Sequence, residues 1–396
     1  MIGHGFRFLT TSAQRHMVFD WSDSQQRLRA EIVQFTRHVL NPRIEEIGES
    51  GFDPELWRAC AEFGVLGWFA PRTHGGAGHG VVTTAFLMEA LGYGCVDNGL
   101  AFGLGTQIWG FQKTLLEVGT PEQVSRYLEP SVRGTLLGAL AMTEEGSGSD
   151  AFGMEARAAR DGEGWVLEGE KVFVGFAPVA EVAVVFARTD PEAGRWGISA
   201  FLVEADTPGY EVGPAPEHVG LRRVPAGRVT LRGCRVPADR LLGREGAGAG
   251  IFNLHATWER SMVLAPQVGA MQRQLDACVE VARTRIRGGT PVGRHQAVSH
   301  RIADMKLRVE LARLLLYRTA RLLEDGRSAT METALTKTFL AEAFVQSSQD
   351  AIAVHGGVGY QAATGLGRDL RDALGATIYA GTVDIQRNII AGLLGL

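Results

Sequence analysis

Two hydrophobic rhythms run along the chain, and the pattern switches twice. From about residue 22 to 132, apolar residues recur at helical spacing. SDSQQRLRAEIVQFTRHVL opens on a Ser/Asp cap before its apolar stripe begins. DPELWRACAEFGVLG repeats the design, with Asp53 as cap, Pro54 in the first turn and Gly64 near the stop. VVTTAFLMEALGYG and PEQVSRYLEPSVRG read as further helices. After about Leu136 the segments shorten. GWVLEGEKVFVGF, VAEVAVVFART, ISAFLVEAD and RVTLRGCRVP are rich in Val and Phe and bounded by Gly, Pro and Asp, which predicts strands of an antiparallel sheet or small barrel. From about Ala247 onward long amphipathic helices return. Helices, a small β region, then helices make an α+β chain, not a doubly wound sheet. The expected domains are 1–135, 136–246 and 247–396.

Composition narrows the function. The chain has 396 residues, 45% hydrophobic and 21% charged, enough for two or three domains with real cores. A net charge of −4 gives no surface for a polyanion, so nucleic acid is not an expected partner. No apolar run approaches the roughly 18 residues of a membrane span, so no membrane partner is expected. Cys60, Cys95, Cys234 and Cys278 lie far apart without metal-ligand spacing and read as thiols of a reducing, cytoplasmic compartment. The first sixteen residues contain no acid and faintly resemble a transit peptide, but they lack an amphipathic stripe of useful length. They read as an upstream start or tail, with Met17 as an alternative start.

Three stretches could carry chemistry. AMTEEGSGSD, at the first switch of pattern, is dense in small and hydroxyl residues and could offer backbone N–H groups to a ligand; alone it reads as a Gly/Ser turn. Phe173 ends a strand and could lay its ring on a flat cofactor; alone it reads as a core phenylalanine. Arg285 precedes a Gly-rich turn, and its planar fork suits a pyrophosphate; alone it reads as part of a solvated basic loop. GREGAGAG follows no βαβ strand and is not a dinucleotide fingerprint.

In combination these stretches resemble the acyl-CoA dehydrogenase family along nearly the whole chain. AMTEEGSGSD, LEGEKVFVGF, CRVPADRLLGREGAG, RGGTPVGRHQAVSHRIADM, HGGVGY and IYAGTVDIQRN occur in the family's order and approximate spacing. The resemblance implies an N-terminal helical domain, a central antiparallel β-barrel and a C-terminal four-helix bundle. It also implies FAD held between them and a homo-oligomer, a dimer of dimers, whose interface completes the FAD site. By the same resemblance Met142, Thr143, Gly148 and Ser149 line the flavin and the thioester tail. Phe173 stacks on the flavin, with Val174 and Gly175 beside it. Arg285, Gln296, Val354, His355, Gly356 and Gly357 reach the pyrophosphate and adenine half of a neighbour's FAD, and Thr382 and Asp384 finish the cofactor site. Ser149, Trp258, Arg260 and Gly381 are expected against substrate. Gly175 stands where the family usually has a threonine, and Ala353 where a glutamine is common.

The implied reaction is α,β-desaturation of an acyl thioester, with the β-hydrogen leaving as hydride to flavin N5. It needs a carboxylate base, and the family's usual position for it holds Ala380. Isovaleryl-type members carry the glutamate on a different helix, just before an arginine; Glu259-Arg260 matches that point. A Glu-Arg pair on an amphipathic helix is ordinarily solvated, but Trp258, Met262 and Val263 offer an apolar wall that would raise the carboxyl pKa. The Ala380 N–H would still polarise the thioester carbonyl. TWERSMVLAP and APVAEVAVVFA resemble members of antibiotic (secondary-metabolite) biosynthesis that act on groups such as prolyl held on a carrier protein. CoA and carrier protein share the phosphopantetheine arm, so both remain open as carriers. An electron-transfer flavoprotein or similar acceptor is the expected redox partner. The alternatives are a flavin oxidase or monooxygenase on the same fold, or a non-catalytic FAD-binding scaffold.

Overall fold

The chain is described by a computed structural model covering residues 21–49 and 51–396, so the reading of residues 1–16 and Met17 lies outside the described residues. The helices begin where the caps predict. Ser22 and Gln25 form a reciprocal capping box at the start of α1 (Asp23–Phe35). A π-helical turn at Thr36–Leu40 carries α1 into α2 (Asn41–Ile47). Asp53 accepts from Leu56 N at 2.7 Å and starts α3 (Pro54–Glu62), and Gly64 leaves it at φ 89°. Next come α4 (Val81–Gly94), α5 (Asn98–Gly105), α6 (Lys113–Val118), α7 (Pro121–Gln123) and α8 (Glu129–Val132). Helix α4 is apolar on nearly every side and buried almost throughout.

Eight strands follow: β1 (Gly138–Ala141), β2 (Arg157–Asp161), β3 (Gly164–Gly175), β4 (Val182–Arg188), β5 (Ile198–Glu204), β6 (Tyr210–Val212), β7 (Ala226–Pro237) and β8 (Leu241–Leu242). Their order is β6-β7-β3-β2-β4-β5-β8, with β1 beside β4. The sheet is open, which corrects the expected closed barrel. Its edge strands have only three and two residues and leave too little ladder to close. Nor is it wholly antiparallel, because β1 runs parallel to β4.

The second helical region holds α9 (Gly248–Glu259), α10 (Ala265–Thr284), α11 (Gln296–Glu324), α12 (Thr330–His355), α13 (Leu366–Ala376) and α14 (Val383–Leu393). The amphipathic stretch over 252–286 folds as parts of two helices. Pro266 has no N–H and its ring crowds the carbonyl four residues back, so α9 cannot run on through Met262. That break leaves Glu259 as the last residue of α9. Helices α10, α11 and α12 pack together, α13 and α14 pack on α12, and α4 lies against α10 and α11.

Buried ion pairs join the three regions. Arg313 of α11 donates to Glu89 of α4 at 2.8 Å, and the Tyr317 hydroxyl donates to the same carboxylate at 2.5 Å. Arg223, between β6 and β7, donates to Asp97 at 3.0 Å and to the carbonyl of Gly51 at 3.0 Å. Asp97 also caps α5 through Leu100 N at 2.9 Å. Asp97→Ala would take the carboxylate from a buried guanidinium and remove a cap. It is expected to cost about 3–5 kcal/mol, read as a drop in the denaturation midpoint with unchanged slope.

Candidate active site

The expected site residues fall into three groups. The first surrounds the end of β3. The register of β3 against β7 slips between Lys171 and Val174, and at this bulge Phe173 adopts φ 56°. A phenylalanine in the left-handed region costs of order 1–3 kcal/mol. Its ring is 72% exposed, so the reading of a core phenylalanine fails. Val174 is buried beneath it, and Gly175 is half-buried. Val172 N donates to Thr143 O at 2.8 Å, which seats the AMTEEGSGSD loop beside the bulge. Lys171, absent from the expected set, is wholly buried. Its Nζ donates to Met142 O at 3.1 Å and to Glu144 Oε1 at 2.7 Å. Met142 is buried, Thr143 half-buried, and Gly148 and Ser149 stand exposed at the loop tip.

The second group gathers at the ends of α10 and α12. Arg285 Nη1 donates to His355 O at 2.6 Å, and Gly356 turns the chain at φ 62°. A side chain at Gly357 would meet nothing within 4 Å, so backbone there is open to a ligand. Val354 is buried, and Gln296 is exposed at the start of α11.

The third group joins the end of α9 to the turn before α14. Arg260 Nε donates to Ala380 O at 3.0 Å. Ala380 has φ 54° and Gly381 φ 86°, a strained turn closed by Thr382, which caps α14 through Ile385 N at 3.3 Å. The buried Gln386 Nε2 donates to Gly381 O at 3.2 Å. Among the described residues the Ala380 N–H has no acceptor in the protein. Asp384 is exposed and sits 3.4 Å from Arg387. Trp258 turns into the core, its ring parallel to Trp109 with centroids 5.5 Å apart and Lys113 Nζ 4.6 Å from its centroid.

Glu259 keeps 21% of its side chain accessible and does not face bulk water alone. His255 Nε2 stands 3.0 Å from its Oε2. The expected apolar wall exists, since Trp258, Met262 and Val263 are all buried. Burial does push the Glu259 carboxyl upward, but the His255 imidazole, then Lys337 and Arg260, overcome it and hold the group below the usual carboxylate range. The expected upward shift is thus reversed, because cations and not only hydrocarbon line the pocket. Lys337 of α12 is completely buried. Its Nζ lies 3.9 Å from the centroid of the Tyr379 ring and, among the described residues, has no hydrogen-bond acceptor. Burial pushes it down to about 7, with Glu259 pulling the other way. The Tyr379 hydroxyl accepts from Gln267 Nε2 at 2.7 Å. Sequence reasoning passed over His255, Lys171 and Lys337. The signals were a histidine one helical turn before Glu259 and, in LEGEKVFVGF and TALTKTFLAEAF, single lysines among apolar neighbours.

The chain matches three family models in succession: "Acyl-CoA dehydrogenase, N-terminal domain" over residues 22–135, "middle domain" over 139–234 and "C-terminal domain" over 246–394. It is 39% identical over 381 residues to an L-prolyl-[peptidyl-carrier protein] dehydrogenase of Pseudomonas fluorescens, covering 96% of this chain and 100% of the relative. The crystal structure of the prolyl acyl carrier protein oxidase AnaB superposes with TM-score 0.93 at 37% identity, covering 95% of this chain and 100% of AnaB. PigA with FAD and proline superposes with TM-score 0.93 at 36% identity, covering 96% and 100%.

Lys337 gives a pH test. Its folded pKa lies below its unfolded value, so the unfolded chain binds more protons between the two and stability rises with pH there. The penalty is largest below pH about 7, where the native state must bury the charge. Lys337→Met should therefore gain stability relative to the parent at pH about 6 and lose that gain by pH about 10. Denaturation at both pH values measures it.

Proposed function

The chain belongs to the acyl-CoA dehydrogenase family, and from that premise we propose that it is an FAD-dependent dehydrogenase desaturating the α,β bond of a carrier-held acyl thioester, with Glu259 as the base. The observation that carries the assignment is one juxtaposition. Glu259 is held as a carboxylate at the end of α9, and its neighbour Arg260 grips the turn where residue 380 is only a methyl. An alanine there leaves room for a carboxylate arriving from the adjacent helix.

Bound FAD supplies the hydride acceptor. The residues present fit it. Phe173 offers an exposed ring held out by strained backbone, and Lys171 and the Val172 N–H fix Met142 and Thr143 beside it. Arg285 stands at the open backbone of 355–357. In the reaction Glu259 accepts the α-proton, and the free Ala380 N–H donates to the thioester carbonyl as negative charge grows on its oxygen. Gly381 and Arg260 hold that turn. Val174 and Gly175 back the ring, Gly148 and Ser149 border the arm of the substrate, and Thr382 and Asp384 lie at the start of α14. Trp258 acts as packed wall through its stack on Trp109.

The substrate class follows the relatives: an aminoacyl thioester, prolyl in particular, on the phosphopantetheine arm of a carrier protein. The protein also works as an oligomer in this reading. His355 lies 18 positions beyond Lys337 on α12, roughly 27 Å at about 1.5 Å per residue. The Arg285 group is therefore far from Glu259 within one chain and suits a neighbour's cofactor. A dimer of dimers is the proposed assembly, with domains meeting near residues 135 and 246. A second reading concerns the electron acceptor. Similarity to an oxidase and the absence of a side chain at Gly175 favour oxygen; the first reading uses an electron-transfer flavoprotein. The scaffold alternative has no support from the charged surroundings of Glu259.

Glu259→Gln should retain FAD and slow anaerobic flavin bleaching by an L-prolyl carrier-protein thioester by about 10²–10⁴ or more. Bleaching at the parent rate would remove Glu259 from the mechanism. In air, little peroxide and turnover dependent on an added flavoprotein or dye are expected. One peroxide per product without added acceptor would make the protein an oxidase.

A further inference from the structure

His255 has no role in the chemistry derived above, yet it is the most constrained polar side chain near the base. It lies one helical turn before Glu259, on the same face of α9, and is buried. Across from it runs the π-helical segment Thr106–Gln112. A Cβ at Gly110 would come within 2.9 Å of His255 Cε1 and 3.0 Å of Glu259 Oε1. Glycine at 110 thus gives both side chains their space.

The hydrogen bonds behind the imidazole assign its protons. The Thr114 hydroxyl donates its one hydrogen to Gly110 O at 2.6 Å. Toward His255 it can then only accept, which puts a hydrogen on Nδ1, 3.4 Å away. That leaves Nε2 facing the carboxylate at 3.0 Å. A lone pair there would repel an ionised Glu259, whereas a proton on Nε2 would be attracted to it. The approach lies off the axis of a hydrogen bond, and Nε2 has no aligned acceptor. Charge and the tight space beside Gly110, rather than an aligned hydrogen bond, hold the carboxylate in place.

The other charged or titratable groups facing Glu259 are less direct. Arg260, on the same strand of chain, spends Nε on Ala380 O. Lys337, from α12, sits over the Tyr379 ring. Tyr379, from the turn, accepts from Gln267. Among the described residues, His255 is the one basic side chain within salt-bridge distance of the carboxylate.

We propose that His255 is the positioning residue of the base: with Gly110 and Thr114 it fixes where the Glu259 carboxylate stands and supplies its nearest counter-charge. This rests on the reading of Glu259 as the base. The effect expected of a cation at such range is a shift of about 1–3 pH units in carboxyl ionisation.

The test reads that ionisation directly. In the FAD-loaded protein, infrared difference titration follows the carboxyl band that disappears in Glu259→Gln. His255→Leu should move its midpoint up by at least about one pH unit, and His255→Gln, which keeps a donor without charge, by less. With the L-prolyl carrier-protein thioester, the acid limb of anaerobic bleaching should move by the same amount, and the alkaline plateau should fall further in His255→Leu than in His255→Gln, which keeps a donor beside the carboxylate. Should His255→Leu not retain FAD, His255→Gln and Thr114→Val decide, each expected to shift the midpoint in the same direction. An unmoved midpoint in a folded, FAD-loaded variant overturns the proposal. The two ideas fail separately: a fully active Glu259→Gln removes the base, whereas an inactive Glu259→Gln with an unmoved midpoint in the His255 variants removes only the role of His255.

Discussion

A carboxylate at the C-terminal end of a helix stands in an unfavourable place, because the last carbonyls of the helix already present negative charge. Glu259 is held there by cations from three directions: His255 one turn back, Arg260 next in sequence and Lys337 from α12. Much of the second helical region serves that arrangement. Pro266 ends α9 at the right residue, α12 carries Lys337 beneath the site, and Arg260 ties the helix end to the turn at 380. A buried carboxyl with only hydrocarbon around it would stay protonated and could not take a proton from carbon.

Backbone strain marks the two sides of the site. Of the four non-glycine residues at positive φ among the described residues, Phe173 and Ala380 are both expected site residues. One thrusts an aromatic ring into the open, the other frees an amide hydrogen. Neither conformation is favoured locally; the bulge between β3 and β7 and the Arg260 hydrogen bond impose them. The strain falls on residues that the motif resemblance also singles out.

Much of this was legible in the sequence, for stated reasons. Caps at Ser22 and Asp53 act locally, so the helix starts at 23 and 54 could be read from the chain. The long strands at 164–175 and 226–237 announced themselves by composition. The short strands at 138–141 and 241–242 did not, since they exist through pairing with β4 and β5, which is information from far along the chain. The break in the helix after Glu259 was hidden for a similar reason: the apolar stripe continues across it, and only Pro266 interrupts it. Glu259 itself was readable by register, but the direction of its ionisation was not. That depends on His255 at the right helical phase and on Lys337, 78 positions later, folding back beneath it.

The central claim is spatial: the Glu259 carboxylate faces the α-carbon of a bound thioester. A crystal structure of the FAD-loaded protein with an unreactive analogue of the carrier-arm substrate, an amide in place of the thioester, tests it most directly. The account predicts a Glu259 oxygen within about 3–3.5 Å of the α-carbon, on the face away from the cofactor ring, and the analogue's carbonyl oxygen accepting from Ala380 N–H. A carboxylate turned away from the α-carbon, with another acid in its place, would contradict it.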